Sequence, residues 1–280
     1  MNGIEGKFSI KKILVALDAS SLSRPALETA AELASRLGAE LIGLFVEDIT
    51  LLRVAELPLA MEVGPLSRLS RRLQIPELEK QFRAQAAIMR HSLANVAKRL
   101  GLTWEFRIAR GKVALEILSA EEEADLVIVG KCRWPMGKRL GSTTQTLVFK
   151  GRCLTLVLHE SCTFGLPVVA IYDGSVQGGK ALKAAEQLVG LKDGSMMVLV
   201  TASDAASAEK LADSVRLHFN IKGQEQESEI RIMIRPTLPR LIFAVQGMGP
   251  VVVPANTEFL YEGSLCEFIS TIRNSVLLVR

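Results

Sequence analysis

The chain is predicted to contain two copies of one α/β unit, and this internal repeat constrains its fold more than any other feature. Residues 12–18 form an apolar run that ends in an aspartate, and residues 167–173 do the same. In both places an Ala-Leu pair follows eight and nine residues after that aspartate. Each run is long enough for a buried strand and short for a helix. The agreement predicts one copy at residues 1–160 and a second at residues 161–280.

Helical periodicity follows the opening strand of each copy. Apolar residues recur there at helical spacing, at Ala26, Leu27, Ala30, Ala31, Leu33, Ala34 and Leu37, and again at Ala181, Leu182, Ala184, Ala185, Leu188 and Val189. Further strands and helices alternate along the chain, which predicts a parallel sheet covered on both faces. Because crossover connections are right-handed, the sequence favours two tandem, open, doubly wound parallel-sheet domains of the α/β class.

The composition is that of a folded globular protein. Apolar residues make up 49% of the chain and charged residues 23%, which argues against disorder. We see no signal peptide and no apolar run long enough to cross a membrane, which predicts a cytoplasmic protein without a membrane partner. The four cysteines form no CxxC pair and the three histidines are scattered, so no metal site is predicted. A formal net charge of +4 without a nucleic-acid-binding motif predicts no nucleic acid partner.

The segment from Gly130 to Gly141, the glycine loop, follows a predicted strand and precedes a predicted helix. Glycines let backbone N–H groups approach phosphate oxygens, and Ser142 and Thr143 can cap the helix and donate hydroxyls. The stretch 131–152 has no acidic residue and carries Lys131, Arg133, Lys138, Arg139, Lys150 and Arg152. The loop is therefore predicted to attract phosphate, although a solvated helix face would explain the charges equally well.

Other candidate ligand residues follow the strands of the first copy. In doubly wound sheets, ligands bind beyond the carboxyl ends of the strands, where the strand order reverses. This places Asp18, the Val46-Glu47-Asp48 run and the Arg110-Gly111 pair beside the glycine loop. Asp18 has a second interpretation as a residue that caps the turn into the first helix.

These residues resemble a tandem universal stress protein, and the similarity covers nearly the whole chain. In nucleotide-binding members the loop runs Gly, two residues, Gly, nine residues, Gly, then Ser or Thr. Gly130, Gly141 and Ser142 match the ends of this pattern, whereas Arg133 stands at the second glycine and the loop is shorter. The resemblance implies a universal stress protein-like, adenine nucleotide alpha hydrolase-like fold. It also implies ATP or a related adenine nucleotide as ligand, with or without Mg²⁺.

The resemblance also assigns roles to residues of the first copy. The family's strand-end acid corresponds to Asp18, and its adenine contact to Val46. The remaining nucleotide-binding positions are Gly130, Arg133, Gly141, Ser142 and Thr143. The implied function is that of a cytoplasmic stress-response or regulatory protein with at most weak ATPase activity. One alternative is an interaction module that binds no nucleotide and acts by dimerisation or partner docking, and another is an enzyme that acts on a phosphorylated small molecule.

The second copy departs further from the nucleotide-binding pattern. Pro254 stands where Gly130 stands in the first copy, and proline lacks the N–H group that would contact phosphate. Glu258 and Glu262 bring negative charge where the first copy has lysine and arginine. We therefore predict that the second copy binds no nucleotide triphosphate through this loop.

The last strand of each copy is predicted at residues 154–158 and 276–279. Both strands are apolar and would be exposed sheet edges if they were left unpaired. Members of the family pair their domains through these strands, so we predict that the two copies of one chain pair in this way. Homodimerisation of the tandem chain is left open.

Residues 49–75 form a long connection in the first copy. Its apolar residues are predicted to form a short helix or a partner-binding surface, and they are Leu51, Leu52, Val54, Leu57, Leu59 and Met61. Long connections in compact domains are often functional, but the sequence assigns no specific role here.

Overall fold

A computed structural model describes residues 9–18, 23–58, 60–63, 70–131, 140–159, 167–190, 195–222 and 228–280. The chain forms two compact units, an N-terminal unit of residues 11–124 and a C-terminal unit of residues 125–280 that also includes residues 9 and 10. The units do not follow the predicted copies, because the last two strands of the predicted first copy belong to the C-terminal unit.

The N-terminal unit begins with a β-α-β segment and ends with a β-α segment. Its elements are β1 (Lys12–Leu17), α1 (Ser23–Leu37), β2 (Glu40–Asp48), α2 (Ile49–Ala55), β3 (Met61–Val63), β4 (Ser70–Arg72), α3 (Ile75–Leu100), β5 (Trp104–Gly111) and α4 (Val113–Ala120). Strand β2 lies between β1 and β5, and all three run parallel. Strands β3 and β4 form a separate antiparallel pair.

Burial in this unit agrees with the predicted helical pattern. The buried face of α1 contains six of the seven apolar positions named from the sequence, whereas Leu37 is half-buried. In the predicted connection, α2 buries Leu52 in a cluster with Phe45, Leu78 and Phe82. The predicted short helix is therefore present, and one of its faces packs into the core.

Gly43, in the middle of β2, lies where helix α3 approaches the sheet closely. A Cβ atom there would lie 2.7 Å from Leu93 Cδ2 and 3.2 Å from Phe106 Cδ2. We expect Gly43→Ala to lower the free energy of unfolding by roughly 1–2 kcal/mol through overpacking. Chemical denaturation measures this change. Gly179→Ala is the control, because a Cβ atom added to that helical glycine would meet no atom within 4 Å and alanine favours helix. A stabilising Gly43→Ala would contradict the close packing.

The C-terminal unit contains helices of eight to eighteen residues between short strands. Its elements are β6 (Leu126–Gly130), α5 (Ser142–Lys150), β7 (Leu154–Leu158), β8 (Val168–Tyr172), α6 (Val176–Gly190), β9 (Met196–Ala202), α7 (Ala205–Lys222), β10 (Ser228–Ile234), α8 (Leu238–Val245), β11 (Val251–Pro254), α9 (Glu262–Thr271) and β12 (Val276–Val279). The strand order is β10-β9-β8-β11-β12-β7-β6. The order therefore reverses at β8, as in a doubly wound sheet, and the predicted α/β class with a mostly parallel sheet is confirmed.

The sheet of the C-terminal unit is parallel except where β12 meets β7. These two strands pair antiparallel, with Leu277 opposite Leu156 and Val276 opposite Val157. The predicted pairing of the last strands is confirmed. All strand residues in both segments are buried, so the pairing removes two apolar edges that would otherwise face solvent.

Strands β5 and β10 carry a repeat that was not predicted from the sequence. Glu105 and Arg107 form an ion pair with Nε–Oε1 at 2.8 Å, and Glu229 and Arg231 form the same pair at 2.6 Å. Arg107 lies opposite Leu44 of β2, and Arg231 lies opposite the corresponding residue of β9. The identical placement of Glu-x-Arg-Ile supports the internal repeat.

Candidate functional site

Asp18 lies directly after β1 and forms hydrogen bonds with Ser23, the first residue of α1. The Ser23 hydroxyl donates to Asp18 Oδ1 at 2.6 Å and accepts from the Asp18 backbone N–H at 2.8 Å. Asp18 is exposed and Ser23 is buried. These hydrogen bonds join the end of β1 to the start of α1 and agree with a capping role of Asp18, whose ligand role stays a prediction.

Asp173, directly after β8, also accepts a hydrogen bond from a serine near the start of the next helix. Its Oδ1 accepts from the Ser175 backbone N–H at 3.0 Å and from the Ser175 hydroxyl at 2.6 Å. The Ser175 oxygen in turn accepts from the Gly178 N–H at 2.9 Å. At both positions where the repeat predicts an aspartate after a strand, that aspartate is hydrogen-bonded to a serine at or near the start of the next helix.

Val46 lies near the end of β2 and is half-buried, with Ala109 of β5 as its neighbour in register. The next residue, Glu47, is buried and accepts from Arg110 Nε at 2.7 Å. Arg110 also pairs with Glu79 at 3.2 Å. The hydrogen bond to Glu47 raises the pKa of the Arg110 guanidinium above its usual value. This ion-pair network at the strand ends was not predicted, because its partners are far apart in sequence.

The glycine loop begins at Gly130, the last residue of β6. The Gly130 carbonyl accepts from Thr144 Oγ1 at 3.5 Å, which is a long hydrogen bond to the first turn of α5. Lys131 is 3% exposed, and its ammonium donates to the Ile272 carbonyl at 2.5 Å. The prediction that Lys131 contributes to a phosphate-attracting cluster is therefore wrong, because its charge lies in the protein interior.

The helix after the glycine loop starts with backbone donors that lack intrahelical partners. Gly141 is the residue before α5, with φ −58° and ψ 148°, and as a glycine it has no side chain of its own to cap the helix. The first bond within the helix runs from the Gln145 N–H to the Gly141 carbonyl at 2.9 Å. The N–H groups of Ser142, Thr143 and Thr144 therefore precede the intrahelical ladder and point toward the helix N-terminus. The predicted capping by Ser142 is wrong, because Ser142 is already the first helical residue.

The two ends of the glycine loop, Gly130 and Gly141, belong to the described residues, but its middle does not. Arg133, the residue that replaces the family's second glycine, lies outside the described residues. The basic residues Lys138 and Arg139 lie outside them as well, so the roles predicted for these three side chains stay predictions.

The corresponding region of the predicted second copy is built differently. Pro254 lies opposite Val279 in β12, just as Gly130 lies opposite Leu158 in β7, which agrees with the predicted equivalence of the two residues. Helix α9, however, begins before its Gly-Ser pair, with Tyr261 as the capping residue. The buried Ser264 lies inside the first turn, and its hydroxyl donates to the Tyr261 carbonyl at 2.9 Å. The two Gly-Ser pairs therefore occupy different helical positions.

Two absences concern the part of the chain that the structure describes. None of its helices is long and apolar enough to cross a membrane. Within the same residues, no three His, Cys, Asp or Glu side chains come together as metal ligands.

A family model described as the universal stress protein family matches residues 9–159, which is more than half of the chain. This chain therefore belongs to the universal stress protein family. A search of curated proteins found no match.

Similar solved structures cover most of the chain at low sequence identity. A universal stress protein from Archaeoglobus fulgidus is 18% identical over 97% of this chain and 96% of its own, with a TM-score of 0.71. A functionally unknown protein from Pseudomonas aeruginosa is 16% identical over 97% of this chain and 92% of its own, with a TM-score of 0.68. A universal stress protein in complex with cAMP covers 55% of this chain and 99% of its own, with 23% identity and a TM-score of 0.40. At such identities the similarity of the first two establishes the fold.

Proposed function

We propose that the chain binds ATP or a related adenine nucleotide through its first copy, with the phosphates at the N-terminus of α5. The observation that carries this proposal is the start of that helix. Gly141 leaves the N-cap without a side chain, and Ser142 and Thr143 follow with backbone N–H groups that have no acceptor within the helix. A helix N-terminus of this kind favours an anion, because the donors and the helix dipole act together.

The other nucleotide contacts in the proposal rest on the family resemblance. Asp18 and Val46 provide the strand-end acid and the adenine contact, while Gly130 and Arg133 belong to the glycine loop. The half-exposure of Val46 near the end of its strand agrees with such a role. Mg²⁺ would bind to the nucleotide phosphates. None of the protein contacts proposed here depends on that ion.

The proposal assigns one nucleotide to each chain. We assign residues 1–160 and 161–280 to two universal stress protein domains, of which the second is degenerate. In that second domain Pro254 lacks an N–H donor, Glu258 is exposed with its negative charge, and Ser264 donates to its own helix. Each of these features disfavours a phosphate group at α9.

The proposed role is regulatory rather than catalytic. The family's name points to a stress response, and the proposed compartment is the cytoplasm, where adenine nucleotides are available. Any ATP hydrolysis is expected to be slow, since the proposal contains no general base and no protein metal ligands.

Native mass spectrometry of freshly purified protein and calorimetric titration with ATP test the proposal. One bound adenine nucleotide for each chain is the expected result. Two sites of similar affinity would contradict the empty second domain. Complete absence of ATP binding would contradict the proposal and favour the interaction module.

One observation favours the interaction module as the second candidate function. Four apolar residues of the connection are 41–58% exposed, namely Leu51, Val54, Leu57 and Met61, while Leu59 lies outside the described residues. Exposed apolar patches of this kind often mark contact surfaces. If the chain is an interaction module, replacing Leu51 and Val54 by glutamine should weaken dimerisation, measured by analytical ultracentrifugation, and the parent protein should bind no ATP.

A further inference from the structure

We infer that two copies of this chain form a dimer by pairing their β5 strands edge to edge, antiparallel, about a twofold axis at Phe106. The partner for this edge is therefore a second copy of the same chain. The inference goes beyond nucleotide binding and does not depend on it, because it concerns only the outer edge of the N-terminal unit.

The outer edge of β5 offers backbone groups for pairing. Strand β5 pairs with β2 on one side and ends the strand order on the other. The Leu41 N–H donates to the Thr103 carbonyl at 3.0 Å, so the backbone groups of Thr103 and of every second residue after it point toward β2. Those of Trp104, Phe106 and Ile108 point away from β2. Among the residues that the structure describes, none bonds to these outward groups.

Strand β5 lacks several features that commonly protect a strand edge. Its register with β2 is continuous over all eight residues, without a bulge, and the strand contains no proline. The side chain of Ile108 is 57% exposed. Long, regular edges with exposed apolar side chains tend to pair with another strand. The charges of Glu105 and Arg107 would oppose such pairing only if the other strand placed like charges opposite them.

Antiparallel pairing of β5 with itself places opposite charges face to face. With Phe106 on the twofold axis, Glu105 of one copy lies opposite Arg107 of the other, and the same pair recurs across the axis. Both are non-hydrogen-bonded pairs, in which opposing side chains lie closest. Glu105 and Arg107 of one chain are already ion-paired at 2.8 Å. The four groups therefore alternate in sign around the axis, which stabilises the pairing.

The same register also matches the apolar residues of the strand. Trp104, Phe106 and Ile108 alternate with the charged residues and so lie on the other face of β5. Pairing about Phe106 places Trp104 of one copy opposite Ile108 of the other. Aromatic and β-branched residues are favourable cross-strand partners, and this contact would cover the exposed Ile108. The outward backbone groups of all three residues then form the hydrogen-bonded pairs.

Strand β10 of the C-terminal unit provides a matched comparison. It also ends the strand order and carries the corresponding ion pair between Glu229 and Arg231. The Arg235 N–H donates to the Ala202 carbonyl at 2.8 Å, so the backbone groups of Ile232 point away from β9. Antiparallel pairing of β10 with itself would, however, place a serine opposite Ile232 where β5 has a tryptophan. The apolar contact is therefore weaker, and we assign the dimer to β5.

Sedimentation velocity over a range of protein concentrations tests this inference. The parent protein is expected to form a dimer as its concentration rises. Ile108→Pro removes an outward N–H that β2 does not use, and proline is tolerated at such edge positions. The variant should fold, with an unchanged circular dichroism spectrum, and its dimer dissociation constant should rise at least about tenfold. Ile232→Pro makes the same change in β10 and should dimerise as the parent does.

A charge reversal tests the register. Arg107→Glu places like charges opposite each other across the axis and should raise the dimer dissociation constant at least about tenfold. Adding Glu105→Arg to this variant restores opposite charges and should restore the dimer. Both variants lose the ion pair of Arg107 with Glu123, at 2.9 Å, so an effect on the unit alone would weaken both equally.

Four results would overturn the inference. They are a parent protein that stays monomeric at every concentration, normal dimerisation of Ile108→Pro, equal losses in Ile108→Pro and Ile232→Pro, and assemblies that grow beyond the dimer. If replacing Leu51 and Val54 by glutamine abolishes the dimer while Ile108→Pro keeps it, the contact belongs to α2 instead. If Ile108→Pro does not fold, Ile108→Lys is compared with Ile232→Lys in the same way.

Discussion

Gly141→Asp is expected to lower the ATP affinity at least about tenfold, or about 1.4 kcal/mol, while the protein stays folded. Gly141 has φ −58° and ψ 148°, which aspartate can adopt without strain. Aspartate is also a favoured N-cap residue, so its carboxylate would accept from the first N–H groups of α5. The carboxylate would then occupy the place proposed for phosphate and repel it. Calorimetry measures the affinity, and thermal denaturation should show equal or higher stability.

Gly263→Asp is the matched control for this substitution. Gly263 lies in the first turn of α9, and a Cβ atom there would meet Tyr261 Cε2 at 3.6 Å, an ordinary contact. An acidic residue is favourable in the first turn of a helix, so the variant should fold and bind ATP normally. Equal losses of affinity in both variants would contradict a single site in the first domain. Normal ATP binding by Gly141→Asp would contradict phosphate binding at α5.

Arg280→Met is expected to lower the free energy of unfolding by about 2–4 kcal/mol, since several hydrogen bonds to a charged group are lost. The Arg280 guanidinium donates to the carbonyls of Leu147 and Val148 at 2.7 and 3.0 Å. It also donates to the Cys153 carbonyl at 2.7 Å and to Thr155 Oγ1 at 2.9 Å. Methionine would fill much of the space but leave these acceptors near the end of α5 without their donor. Urea denaturation followed by circular dichroism measures the change.

Arg273→Met controls for the loss of one positive charge in the same segment. Arg273 is exposed, and surface substitutions of this kind usually change stability by less than about 0.5 kcal/mol. A loss below about 1 kcal/mol in Arg280→Met would mean that water replaces the guanidinium at little cost. That result would refute the structural role assigned to Arg280.

Much of the fold could be predicted because helices and strands leave local periodic patterns in a sequence. The seven apolar positions of the first helical pattern identified α1 and its buried face, apart from the half-buried Leu37. Alternating strands and helices indicated the mostly parallel sheet, and the repeat placed Pro254 at the position of Gly130. The Glu-x-Arg-Ile segments of β5 and β10 were also readable as a repeat, but they were missed.

The candidate site was only partly predictable. A shift of one or two residues in where a helix begins changes which hydrogen-bonding groups a residue presents at the helix N-terminus. The sequence aligned Gly263-Ser264 with Gly141-Ser142, but α9 begins at Glu262 and places its Gly-Ser pair within the first turn. Helix α5 begins at Ser142 and leaves Gly141 as the N-cap. Where a helix begins depends on the packing of the preceding loop, which residue spacing does not record.

Residue types and local spacing determined the α/β elements, their buried faces, the repeat and the glycine loop. Tertiary structure decided which charges remain near the surface and which are bound in the interior. Lys131 looked like part of a basic cluster, yet its ammonium bonds to Ile272, 141 residues away in sequence. The half-buried Arg280 donates to carbonyls at the end of α5 from more than a hundred residues away. The reason is physical: a charged side chain becomes buried only where folding brings acceptors to it, and the acceptors here are backbone carbonyls, which every residue type carries.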